Sequence, residues 1–272
     1  MPLFWLRVAL TLYTVGLLYA LASFWGGRKV LTLITLPAVG LGMVLHFVAL
    51  VENAMFSGAW TPSSMHGLES LLAFLLMVFF FVIYTRYGAT SPGLVVFPLV
   101  FVLTLSAAFG STKSGPYSPL FVSAQWVYVH VALIFIGYSA LLFSFIASVL
   151  YLMQERTLKA KSTRGVWSRL PALATMDEIA YKCLVWGFPF MTLGLISGAI
   201  VGEARQGAAY FADPKILLSI LTWVLYVVVL YTRWSAGWRG RRAAYLASAA
   251  FATAMLAWAA NNLSHTHRFI AP

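Results

Sequence analysis

The sequence predicts an all-α, polytopic membrane bundle of about eight transmembrane helices, and three observations carry that expectation. Of the 272 residues 61% are hydrophobic and only 9% charged, too few polar groups to cover the exterior of a soluble domain, so the solvent is lipid. Apolar runs recur at the length a bilayer core demands, roughly 20 residues per helix. The basic residues fall in short clusters between alternate runs, as they do when Lys and Arg are held on the cytoplasmic side. The formal net charge of +11 therefore marks topology, and no nucleic-acid partner is expected, because the charge does not line one soluble face.

The elements follow in order. Residues 3–24 form the first helix; with only Arg7 as an early charge and no small-residue cleavage pattern, the segment reads as a mature helix and not a signal peptide. Residues 30–51 form the second. Three shorter runs, 68–84, 94–109 and 216–231, span if flanking residues help or the bilayer thins. Residues 126–153, 181–201 and 243–263 complete the set. No sequence repeat or separate soluble domain is evident, so residues 1–272 read as one integral membrane domain.

Arg28 and Lys29 follow the first helix and Arg86 the third. Arg156, Lys159, Lys161, Arg164, Arg169 and Lys182 lie between the fifth and sixth, and Arg233, Arg239, Arg241 and Arg242 between the seventh and eighth. The other connections carry only Lys113, Arg205 and Lys215, so both termini are expected outside, in a bacterial-type cytoplasmic membrane. Residues 110–125 and 202–214 become outer loops, and 154–178 a basic, partly helical inner connector.

With topology set without reference to histidine, all five histidines fall at the outer face. His46 lies about one and a half turns below the end of the second helix, His66 precedes the third, His130 opens the fifth, and His265 and His267 follow the eighth. Imidazoles from different helices can hold one haem iron axially. The plainer reading of any one of them is an interfacial histidine bonded to water, a headgroup or a carbonyl. Zinc or copper ranks lower, since no ligand pair is spaced along one helix. His265 and His267 are two apart, so one of them faces a given ligand.

Glu69, three residues after His66, shares its helix face and could fix its tautomer, or simply interact with the helix dipole. Trp60, Trp126, Tyr128 and Tyr210 could line a porphyrin, although an interfacial aromatic belt accounts for them as well. Cys183 is the only cysteine, so thiol chemistry needs a partner. No nucleophile or general base stands out, and no catalytic residue is assigned.

Several stretches resemble the CcsA/HemX group of cytochrome c assembly membrane proteins: His130 to Tyr138, the Leu-Met-Gln-Glu-Arg ending at Arg156, Gly187 to Gly198, Asp213-Pro-Lys215 with Leu-Thr-Trp223, Thr232-Arg233, Gly237 to Ala244, and an earlier echo from Ser57 through Ser70. The likeness covers about four fifths of the chain. It implies haem delivery across the membrane in support of cytochrome c maturation, a CcsB-like membrane partner or an apocytochrome c, and outer axial ligands matching His130 and His267, or less well His265. Tyr210, Phe211 and Asp213 then stand where a tryptophan-rich haem cradle would lead into Asp-Pro-Lys. Here that segment is Gln206 to Ala212 without tryptophan, and Tyr231 replaces an inner histidine. Those departures bring the chain nearer the HemX-like branch, a non-catalytic membrane subunit or regulator that keeps the fold without haem delivery. A permease would need a polar path across the bilayer, and few buried charges offer one.

Overall fold

The computed structural model describes residues 2–24, 29–57, 65–110, 125–161 and 171–260. His265, His267, Trp60 and most of the 110–125 loop lie outside the described residues. Among those described there are α-helices and no strands: α1 (Pro2–Phe24), α2 (Lys29–Ser57), α3 (Met65–Tyr87), α4 (Gly93–Phe109), α5 (Gln125–Lys159), α6 (Leu173–Gln206), a short 3-10 helix (Gly207–Ala212), α7 (Pro214–Ser235) and α8 (Arg241–Ala259). The eight expected helices are present in order. Six of them, α1, α2, α3, α5, α6 and α7, are long and apolar enough to cross a membrane, while α4 is apolar but shorter.

Boundaries depart from the hydropathy runs wherever polar residues prolong a helix. Backbone hydrogen bonds are local and continue into water, whereas hydropathy stops at the last apolar side chain. Thus α5 runs to Lys159, with Lys159 Nζ donating to Glu155 Oε1 at 2.6 Å one turn back, and α6 begins at Leu173. The 154–178 connector is consequently helix at both ends. Of the outer 202–214 loop, the first part extends α6 and the rest is the 3-10 turn. α2 also continues past residue 51 to Ser57, which puts His46 about three turns from its end.

The chain divides into two compact units, the first holding residues 1–113 and 153–172 and the second 114–152 and 173–272. In the first, α1 packs against α2 and α4, and α3 against α4. Phe97 of α4 meets Phe80 edge-to-face, 4.7 Å between centroids. Leu6, Leu10, Ala49, Ala107 and Ala108 close the end where α1 and α3 start and α2 and α4 finish. Arg86 sits at the opposite end.

In the second unit the buried face of α8 is alanine throughout, at 243, 244, 247, 250, 254 and 257. That smooth face lets α7 approach closely, as small residues do where lipid supplies no hydrophobic drive between helices. Polar bonds add direction: Trp223 Nε1 donates to Thr192 Oγ1 at 2.9 Å, and Thr222 Oγ1 to Thr253 Oγ1 at 3.2 Å. At one end Arg233 forks onto Asp177, Nη1 to Oδ1 at 2.9 Å and Nη2 to Oδ2 at 2.6 Å. The Gly240 N–H donates to the same Oδ1 at 2.9 Å, tying α6, α7 and the start of α8 together.

Candidate functional site

His130 stands in the second turn of α5, at the opposite end of its unit from the Asp177 clamp. Its Nδ1 lies 2.6 Å from the Gly194 carbonyl oxygen of α6. A carbonyl only accepts, so Nδ1 carries the proton and donates it, and Nε2 of the neutral ring keeps a bare lone pair. Ser197 Oγ donates to the same oxygen at 2.9 Å.

Local sequence explains why the ring fits. Gly187, Gly194 and Gly198 recur at helical spacing on α6 and face α5, where added Cβ atoms would meet Ala140, Ile134 and His130 respectively. At Gly198 such a Cβ would fall 2.5 Å from His130 Cε1 and 2.7 Å from Nδ1, so only glycine leaves the imidazole its seat. The glycine stripe is visible in the sequence as a period; its role as a histidine seat is not, because α5 supplies the histidine.

Of Tyr210, Phe211 and Asp213, which stand in place of the tryptophan-rich cradle, two do structural work. Tyr210 is buried in the 3-10 turn with its ring against Gly202. Burial, with the Asp213 charge adding to it, pushes the Tyr210 phenol above its ordinary value of 10. Asp213, also buried, caps α7, its Oδ1 accepting from the Lys215 N–H at 2.9 Å ahead of Pro214 in the first turn. Phe211 is exposed and meets Tyr210 edge-on at 5.3 Å. Lys215, two residues past the cap, lies within electrostatic reach of His130. In the sequence Lys215 stands out only as a charge beside an outer loop, because His130 is on another helix.

The first unit holds two histidines of contrasting kind. His46 is fully buried, and both ring nitrogens have partners: Tyr13 OH of α1 lies 3.3 Å from Nδ1, and Ser70 Oγ of α3 lies 2.8 Å from Nε2. Phe74 packs edge-to-face on the ring at 5.9 Å between centroids. One nitrogen must donate and the other accept, so neither is left for iron. His66 occupies the first turn of α3, and its Nδ1 lies 3.2 Å from Glu69 Oε2, realising the spacing read from the sequence. Among the described residues no group of three or more His, Cys, Asp or Glu could hold a metal ion, and Cys183 is buried.

Residues 61–267 match the family described as "Cytochrome C assembly protein". Curated relatives agree. The chain is similar to "Cytochrome c biogenesis protein CcsA" of Guillardia theta, 27% identical over 262 residues and 86% of each chain. It is similar to the protein of that name from Synechococcus elongatus, at 24% over 91% of each. A third, from Synechococcus sp. (strain CC9311), is 31% identical over 50% of this chain and 53% of its own.

Proposed function

This chain belongs to the cytochrome c assembly protein family, and on that premise we infer that it is a multi-pass membrane protein of cytochrome c biogenesis that handles haem. The observation that supports haem most directly is His130. Its proton is anchored on Gly194, its ring is seated on Gly198, and its Nε2, which has no hydrogen-bond partner among the described residues, can ligate iron. These residues fit an axial-ligand role; His267, or His265, is proposed as the second ligand on the resemblance alone. Bound haem would supply the iron and the vinyl groups that react with apocytochrome thiols.

What the chain itself does is hold and orient. The Gly194 carbonyl fixes the tautomer and rotation of the His130 ring, and Ser197 fixes that carbonyl. Lys215 lies within electrostatic reach of the ring and beside the Asp213 carboxylate. Asp213 and Tyr210 hold the turn that presents Phe211. The absence of tryptophan from residues 206–212 and the exposed Tyr231 favour a second reading, a HemX-like subunit that keeps the fold without delivering haem. Partners proposed are a CcsB-like protein and an apocytochrome c; the proposed location is a bacterial-type cytoplasmic membrane with the histidines outside.

The test is the visible spectrum of the detergent-purified protein, oxidised and reduced, beside His130→Ala and His267→Ala. A low-spin, bis-histidine spectrum lost in both variants supports haem handling. No haem after expression with ample haem supply favours the HemX-like reading.

A further inference from the structure

His66 repeats, in the other unit, the construction found around His130. Its Nδ1 faces the Glu69 carboxylate, an acceptor, so Nδ1 donates and, among the described residues, Nε2 meets no hydrogen-bond partner. Its ring also lies on a glycine: a Cβ at Gly110 would collide with Cε1, Nδ1 and Nε2 together. Gly110 is itself held as the cap of α4, its N–H donating to the Ser106 carbonyl at 2.7 Å. The His66 side chain is 32% exposed, so its ring is reachable, unlike the fully buried ring of His46.

The neighbourhood adds a cation. Arg7 of α1 is exposed and lies over the ring of Phe109, the residue before Gly110, 5.3 Å from guanidinium to centroid. Among the described residues it has no carboxylate within ion-pair distance. An anchored imidazole with an unneutralised guanidinium at the same helix end suits a ligand that carries both a Lewis-acidic metal and an anionic edge. A bare divalent ion would gain nothing from Arg7, and too few donors gather here to enclose one.

We propose that His66 is a second haem-iron ligand, with Glu69 and Gly110 positioning its ring and Arg7 facing the porphyrin carboxylates. The site belongs to the first unit alone and binds haem independently of His130. The proposal rests on the haem-handling reading, and the test separates the two.

Detergent-purified protein is titrated with ferric haem and followed by Soret absorbance and electron paramagnetic resonance, with the His66→Ala/His130→Ala double variant as the baseline for haem in micelles. His130→Ala should retain a histidine-ligated Soret band that disappears in the double variant. In the His130→Ala background, Glu69→Gln should weaken binding about ten- to a hundredfold. In that same background, His66→Met should keep haem but change its spectrum, because the thioether is a different axial ligand; this variant also answers a folding defect in the alanine form. If His130→Ala alone brings binding to baseline, His66 is no ligand and haem handling through His130 stands. If the unsubstituted protein is already at baseline, both readings fail.

Discussion

The two units solve the same problem in opposite ways. The first fastens three helices with a buried neutral histidine: His46 on α2 reaches Tyr13 on α1 and Ser70 on α3, and both ring nitrogens are consumed. The second fastens its helices with charge at the far end, where Asp177 holds Arg233 and the Gly240 N–H, and among the described residues it gives the Nε2 of His130 no partner. A histidine's chemistry here is set by what its two nitrogens already touch, not by its depth in the helix.

The largest expected effect breaks the fastening of the second unit. Asp177→Ala strands a guanidinium whose side chain is only 9% exposed, and removing one partner of a buried pair costs about 3–5 kcal/mol. Thermal unfolding in detergent should show it, and an unchanged midpoint would mean that the clamp is ornamental. Next comes His46→Leu, which leaves the Tyr13 and Ser70 hydroxyls without their shared partner and should destabilise by about 2–4 kcal/mol. Haem bound through His130 should keep its spectrum in that variant, and a lost spectrum would contradict the division of labour between the units.

Gly198→Ala sharpens the comparison from the other side. The new methyl displaces the His130 ring from Gly194, so haem affinity should fall about tenfold while the unfolding midpoint moves less than for Asp177→Ala. Equal losses in both measurements would make Gly198 a packing residue only. The smallest effect is alkaline. Because burial raises the Tyr210 phenol above 10, its contribution to stability is intact below pH 10 and declines as pH rises beyond it, where the unfolded chain loses that proton first. Tyr210→Phe should flatten this slope, as read from unfolding midpoints between pH 9 and pH 11, values about one unit either side of the ordinary tyrosine range.

How much of this was legible in the sequence varies with the element. The glycines at 187, 194 and 198 and the alanines of α8 announce close-packed faces by their spacing alone. His66 and Glu69 are three residues apart, so their shared helix face is legible in the sequence, while the choice between a contact and a dipole role for Glu69 is not. Nor are the partners of His46, since Tyr13 and Ser70 are 33 and 24 residues away, and helices brought together by packing carry no local signature of the pairing. Asp177 reads as a connector residue in the sequence; it clamps three segments because α6 starts eight residues before the apolar run does.

The sequence by itself determined the helix order, the lipid environment and the separation of basic clusters from histidines, because apolar length and charge act on each segment alone. Tertiary structure decided, for the three described histidines, which ring nitrogens meet a partner among the described residues. That outcome depends on a carbonyl, a carboxylate or a hydroxyl supplied at hydrogen-bond distance, and for His46 and His130 the supplier is another helix, whose position is a property of packing and not of local chain chemistry.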